Sequence, residues 1–309
     1  MVTGKKNSST ALIQALRPSQ WLKNLSLFAS LILTGQLTRP EIFVKSLLGF
    51  IVFCFISSSS YLINDVIDAP ADRLHPVKKN RPIARGFVSP STAVITAFVL
   101  LLTGLFIATF INSGFFLIAF IFALLQYSYS LILKKKAILD ILGISIFFII
   151  RVYAGEVATG FHLPVWIILT VIFLSLFIAS GKRRSELVKT GITARSALKG
   201  YGKALLNFYT TIFAVCTMIT YAMFTFFAEP VKFQGLIHSF LLQHYPAALD
   251  RKWYMLTLAP VIFGIMRYGQ IIFEMQEGER PERIVITDIP LLFSVLTWGL
   301  MIITVIYVF

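Results

Sequence analysis

Long apolar stretches, separated by short segments that carry nearly all the charge, constrain this chain more than any other feature. Hydrophobic residues make up 57% of its 309 positions, charged residues 14%, and mean hydropathy is +0.81. The stretches have no polar face to turn toward water, which excludes a soluble helical bundle. In hydrocarbon the backbone must satisfy its own hydrogen bonds, so each stretch is predicted to be a helix. About nine spans are expected: Trp21–Gln36, Phe43–Asn64, Pro90–Ile111, Phe115–Leu133, Ile138–Thr159, Pro164–Ser180, Ala204–Phe227, Tyr254–Phe273 and Ile289–Tyr307. The fold class is therefore all-α, a polytopic membrane helical bundle.

Basic residues orient such a bundle, because short loops rich in Lys and Arg stay in the cytoplasm. Of the 28 Lys and Arg, only Arg39, Lys45, Lys232, Arg251 and Lys252 fall on one side, while Arg151 and Arg267 fall inside spans. All the others, from Lys5 and Lys6 through the Lys182–Lys203 run with Arg195 to Arg280 and Arg283, fall on the opposite side. A multi-pass protein of a bacterial-type inner membrane is expected, with a cytoplasmic N-terminus and an outer C-terminus. The polar start, MVTGKKNSST, carries no cleavable signal pattern, so the first span is expected to remain. The net charge of +14 is then mostly a cytoplasmic feature and needs no nucleic acid to explain it. Cys54 and Cys216 lie in apolar runs and His75, His162, His238 and His244 are scattered, which gives neither a disulfide framework nor a zinc set.

The second span ends in Asn64-Asp65-Val-Ile-Asp68-Ala-Pro-Ala-Asp72-Arg73. On a helix Asp65 and Asp72 nearly eclipse, two turns or about 10 Å apart, with Asp68 between them. Carboxylates gathered at a membrane boundary repel one another, and a hard divalent cation relieves that repulsion. Mg²⁺ typically takes one or two carboxylates plus phosphate oxygens, and Asn64 adds a neutral oxygen. The basic loop that follows, with Lys78, Lys79, Arg81 and Arg85, supplies the rest of what a diphosphate requires as ligand and leaving group. The competing reading is a solvated helix end whose carboxylates pair with Arg73, Lys78 and Lys79. Pro70 is expected to end the helix near Asp68 and leave Asp72 on a turn.

This motif, followed by Arg81-Pro-Ile-Ala-Arg85-Gly, resembles the first signature of the UbiA superfamily of membrane prenyltransferases. Members that prenylate aromatic rings usually carry a second Asp-rich motif after the sixth span. Here that place holds Gly181-Lys182-Arg183-Arg184-Ser185-Glu186, three cations and one carboxylate, read as a clamp for a second phosphate. The remaining motifs are similar to the decaprenyl-phosphate phosphoribosyltransferase branch. They are Arg17-Pro-Ser-Gln20-Trp-Leu-Lys23-Asn24, Tyr129 with Lys134, Lys135 and Asp140, Arg151-x-x-Ala-Gly155, and Arg267-Tyr-Gly with Asp288.

The resemblance implies a single UbiA-like transmembrane domain over 1–309, with cytoplasmic catalytic loops at about 64–89, 134–137, 181–203 and 274–288. It implies Mg²⁺-dependent transfer of 5-phosphoribose from phosphoribosyl diphosphate to a polyprenyl phosphate, with release of diphosphate, in cell-envelope arabinan assembly. Asn64, Asp65, Asp68 and Asp72 would hold the metal and carry catalysis. Substrate binding would fall to Lys23, Asn24, Tyr61, Lys78, Arg81, Arg85, Tyr129, Lys134, Lys135, Asp140, Arg151, Lys182, Arg183, Arg184, Glu186, Arg267 and Asp288. Membrane lipid is the surrounding partner, a homo-oligomer is open, and nucleic acid is not expected. Several of these residues have a plainer reading. Lys134 and Lys135 also serve as topology anchors, Lys23 and Asn24 as interface anchors, and Arg267 as a snorkelling side chain, while Arg151 has Glu156 as an available partner. The rival functions are an aromatic prenyltransferase of the same superfamily and a membrane transporter or scaffold.

Overall fold

The computed structural model describes residues 8–74, 78–191, 196–229, 231, 233 and 235–308. Lys5, Lys6, His75, Arg195 and Lys232 lie outside the described residues. Twelve α-helices follow in order among the described residues: α1 Ser8–Leu16, α2 Ala29–Leu33, α3 Pro40–Leu74, α4 Pro90–Thr109, α5 Ser113–Leu131, α6 Leu139–Thr159, α7 Val165–Thr190, α8 Lys203–Phe227, α9 Gly235–His244, α10 Leu258–Gln270, α11 Pro281–Thr287 and α12 Ile289–Ile303. Eight segments among the described residues are long and apolar enough to cross a membrane. The first expected span, Trp21–Gln36, is built differently, as a 3₁₀ helix over Pro18–Phe28 followed by the five-residue α2. Asn24, Ser26 and Ser30 spend their side chains on tertiary or local carbonyl contacts there, which competes with regular α-helix.

The chain divides into two compact units. The first holds residues 1–29, 39–133 and 150–160. Its axis is α3, whose 35 residues are about 50 Å long and exceed the ~30 Å hydrocarbon thickness. The surplus accommodates polar ends. Inside the bilayer α3 carries four consecutive serines that are all buried. Ser58 donates to the Leu16 carbonyl (3.0 Å) and accepts from Trp21 Nε1 (3.0 Å), while Ser59 donates to the Ala97 carbonyl (2.6 Å). Small polar residues thus bind α3 to α1 and α4 at close range, as helices pack in lipid. Ser89 and Asn112 cap α4 and α5 by accepting from Thr92 N (3.1 Å) and Phe115 N (2.7 Å).

Pro70 does not end α3, which continues through it to Leu74. A proline in a helix interior costs about 3 kcal/mol. Two charge-assisted bonds from Arg81 to Asp65 and Asp72, each contributing roughly 1.5–3 kcal/mol, offset that cost and hold the last turns helical. Asp72 therefore stands on the helix, two turns from Asp65, and not on a turn of its own.

The second unit holds residues 30–38, 134–149 and 161–309. In it α7 packs along α8, and α10 along α12. Helix α7 runs ten residues past the expected end of its span at Ser180 and carries Lys182 to Glu186 with it. Ser185 Oγ accepts the Gly278 amide (2.9 Å), and a Cβ at Gly278 would lie 2.5 Å from that oxygen. Only glycine permits the approach.

Candidate active site

In the first unit the acidic motif sits at the end of α3 and is closed by two arginines. Arg17 Nη2 donates to Asp65 Oδ1 (2.5 Å), and Arg81 Nη1 donates to both Asp65 Oδ1 (3.0 Å) and Asp72 Oδ2 (2.6 Å). Asp65 and Asp72 are buried at 2% and 4% exposure, while both guanidinium groups remain partly open to solvent. One turn apart on the neighbouring face, Asn64 Nδ2 donates to Asp68 Oδ2 (2.9 Å). Among the described residues, Asp65 and Asp72 pair with Arg17 and Arg81. Arg73 donates to the Ala84 carbonyl (3.2 Å).

Arg17 reaches Asp65 because its backbone is left-handed (φ 55) immediately before Pro18. Both a non-glycine side chain and a following proline disfavour that conformation, and such strain is typically found at functional sites. The Arg17 guanidinium also lies over the Tyr61 ring, 5.0 Å from its centroid. The sequence reading passed over Arg17 as a site residue, although its Arg-Pro step was the available signal.

Deeper in this unit Arg151 is buried (3% exposed) and donates from Nε to Asn24 Oδ1 (2.6 Å) with the Phe122 ring 5.0 Å away. Asn24 is fully buried and donates to Cys54 Sγ (3.3 Å), so it is not an interface anchor. Gly155 makes this possible. A Cβ there would overlap the Leu27 carbonyl, so only glycine lets α6 approach the 18–28 segment closely enough. Lys23 donates to Gln20 (2.6 Å), Lys78 and Tyr129 are half-buried, and Arg85 is exposed beside Phe87.

In the second unit the three expected clamp cations do not converge. They lie on α7, where successive side chains fan out by about 100° and cannot meet one phosphate. Arg183 is fully buried, with Nε on Asp140 Oδ2 (2.5 Å) and Nη1 on Glu186 Oε2 (2.6 Å). Arg184, also buried, donates to Asn207 Oδ1 (2.7 Å) and the Ile272 carbonyl (2.6 Å), bracing a π-helical turn at Ile271–Met275. Lys182 is half-buried. Arg183 and Arg184 thus each tie α7 to neighbouring segments of this unit.

Asp140 is fully buried and its carboxylate also accepts from the Tyr201 hydroxyl (2.6 Å) and the Ile141 amide (2.9 Å). Tyr201 was missed because a tyrosine in a lysine-rich loop carries no pattern. Lys134 is half-buried and Lys135 exposed on a 3₁₀ turn, Leu133–Lys135. Arg267 forms a two-pronged pair with Asp288, Nε to Oδ1 (3.1 Å) and Nη2 to Oδ2 (2.7 Å), so it is engaged rather than snorkelling. That pair holds the Asp288 carboxyl below its usual range, and Asp288 Oδ1 also caps α12 through the Leu291 amide (3.0 Å).

Among the described residues no three His, Cys, Asp or Glu side chains close a metal cage. Mg²⁺ does not require one, since it typically keeps waters and phosphate oxygens as ligands. The donor chemistry fits it. Carboxylate oxygens of Asp65 and Asp72 converge on a single cationic nitrogen of Arg81, and the Asn64–Asp68 oxygens stand beside them.

The model of the UbiA prenyltransferase family matches residues 25–284. The chain is 35% identical over 300 residues to the decaprenyl-phosphate phosphoribosyltransferase of Mycolicibacterium smegmatis, covering 95% of this chain and 91% of that one. It is 32% identical over 310 residues to the enzyme of that name in Corynebacterium glutamicum, covering 98% and 89%. A solved UbiA homolog from Archaeoglobus fulgidus, bound to GPP and Mg²⁺, superposes with TM-score 0.71 at 22% identity, over 96% of this chain and 100% of that one.

Proposed function

Because the chain belongs to the UbiA prenyltransferase family, we propose that it transfers 5-phosphoribose from phosphoribosyl diphosphate to a polyprenyl phosphate. The bond broken joins the anomeric carbon to the diphosphate oxygen, and the bond formed joins that carbon to an oxygen of the lipid phosphate. Diphosphate leaves with the electron pair. The acceptor is already anionic at neutral pH, so no strong general base is needed, and none is assigned.

The observation that carries the reading is the paired Asp65–Asp72 site under Arg81 and Arg17, together with the high coverage of the phosphoribosyltransferase relatives. Asp65, Asp68 and Asp72 with Asn64 would hold Mg²⁺, which supplies charge neutralisation for the departing diphosphate. Arg17 and Arg81, partly exposed, would contact phosphate oxygens. In the first unit Lys78 and Arg85 would contribute further cations, and Arg151, Asn24 and Tyr61 would supply polar groups, while in the second unit Lys134, Lys135 and Lys182 would contact phosphate oxygens. The basic face would be cytoplasmic, where a water-soluble donor arrives, and the lipid acceptor would enter from the bilayer.

Membranes containing the protein should convert labelled phosphoribosyl diphosphate and polyprenyl phosphate to a labelled lipid when Mg²⁺ is present. Prenylation of an aromatic acid by a prenyl diphosphate, with no phosphoribosyl lipid, would replace this reading with the aromatic prenyltransferase. Neither product would leave the transporter or scaffold.

A further inference from the structure

Tyr201 joins two segments whose chain positions are far apart, and both hydrogen bonds of its hydroxyl bear on a strained backbone. Ile138 has φ 69, a conformation that a β-branched side chain rarely adopts and that persists only where tertiary contacts enforce it. The Ile138 amide donates to the Tyr201 hydroxyl oxygen (2.5 Å), and that hydroxyl donates onward to Asp140 Oδ1 (2.6 Å). Asp140 is held in turn by Arg183 (2.5 Å), which is held by Glu186 (2.6 Å).

A second contact docks the same segments. A Cβ at Gly200 would lie 2.6 Å from Ala137 Cβ, so the 3₁₀ helix Ser196–Gly200 sits as close to residue 137 as a glycine allows. Ala197, Leu198 and Tyr201 are buried there with Ile141 and Leu176. Ala137 alone separates the strained residue from Lys134, Lys135 and Lys136, and a short turn joins them. Asp140 N bonds back to the Lys136 carbonyl (3.1 Å) and Leu139 N to the Ala137 carbonyl (2.8 Å). Burial and the bond to Asp140 push the Tyr201 hydroxyl above its ordinary range, so it remains protonated and able to donate across neutral pH.

We infer that Tyr201 is a positioning residue for phosphate binding: through the Ile138 amide and Asp140 it fixes the backbone that presents Lys134 and Lys135 to a diphosphate. The inference rests on the proposed function for the role of the two lysines. Tyr201→Phe keeps the ring and removes both hydrogen bonds, so the Ile138 amide loses this acceptor and Asp140 Oδ1 keeps only the Ile141 amide of the two.

The test uses the full chain in detergent micelles, with amide hydrogen exchange over residues 133–141 and calorimetric binding of inorganic diphosphate with Mg²⁺. Tyr201→Phe should speed exchange in that peptide and raise the diphosphate Kd roughly tenfold, the effect of losing about one buried hydrogen bond. In a Lys134→Ala, Lys135→Ala background the same substitution should add less than about twofold, because the groups it positions are gone. Gly200→Ala, which keeps the hydroxyl but presses on Ala137, should shift exchange and Kd in the same direction and covers the case in which Tyr201→Phe fails to fold. Unchanged exchange overturns the inference. So does faster exchange with an unchanged Kd, a full tenfold effect without the lysines, or no diphosphate binding by the wild type. If the wild type binds diphosphate but transfers no phosphoribose, the transfer reading fails while the positioning result still stands or falls on the cycle.

Discussion

Asp65 and Asp72 share one guanidinium nitrogen, and that sharing places them on equal footing. Asp65→Asn and Asp72→Asn should each lower turnover by at least about 100-fold, since each removes charge from a site asked for several kcal/mol of leaving-group stabilisation. Initial rates across a Mg²⁺ titration check this. Near-normal turnover in Asp72→Asn alone would mean that Asp72 serves only to hold α3. The pair formed by Arg183 and Asp140 is of another kind, fully buried on both sides. Arg183→Ala should cost about 3–5 kcal/mol of stability by stranding a carboxylate. Thermal unfolding in detergent should therefore show the loss before any substrate constant is measured. The carboxylates were legible in the sequence because their spacing is a local property of one helix. Their arginine partners were not, because a left-handed Arg17 and the fold of the 78–88 loop decide which cation arrives. The burial of Arg183 was equally hidden, since a run of cations reads as surface until the helix is known to extend through it.

Helix-scale features divide the same way. Spans were legible from apolar length alone, and eight of the expected stretches are long apolar segments among the described residues. The helical path through Pro70 was not, because propensity favours a stop while tertiary bonds from Arg81 and Arg73 favour continuation. Pro70→Ala should restore a backbone donor and raise the unfolding temperature without loss of turnover. At the other end of the chain, Asp288 links α12 to Arg267. Its carboxyl is held below the ordinary range of a free Asp by the Arg267 guanidinium, so the pair's contribution is complete above that range and is lost as pH falls through the lower folded value. Asp288→Asn preserves the helix cap, so the difference in unfolding temperature from wild type should be constant from about pH 5 to 8 and shrink on further acidification.

For the whole molecule, the apolar stretches and the order of the motifs carried the multi-pass character and the family, and the charge distribution predicts the orientation. A reporter fused after Phe309 should be external and one inserted near residue 191 internal. The reverse would move the acidic site to the outer face and away from a soluble donor. The central claim is that this site transfers phosphoribose with release of diphosphate. It is tested most directly with phosphoribosyl diphosphate labelled with ¹⁴C in the ribose and ³²P in the diphosphate, incubated with polyprenyl phosphate, Mg²⁺ and purified protein. The account predicts equal appearance of ¹⁴C in the lipid phase and ³²P diphosphate in water, abolished by Asp65→Asn. Diphosphate release without ribose in lipid, or ribose transfer that survives Asp65→Asn, would contradict it.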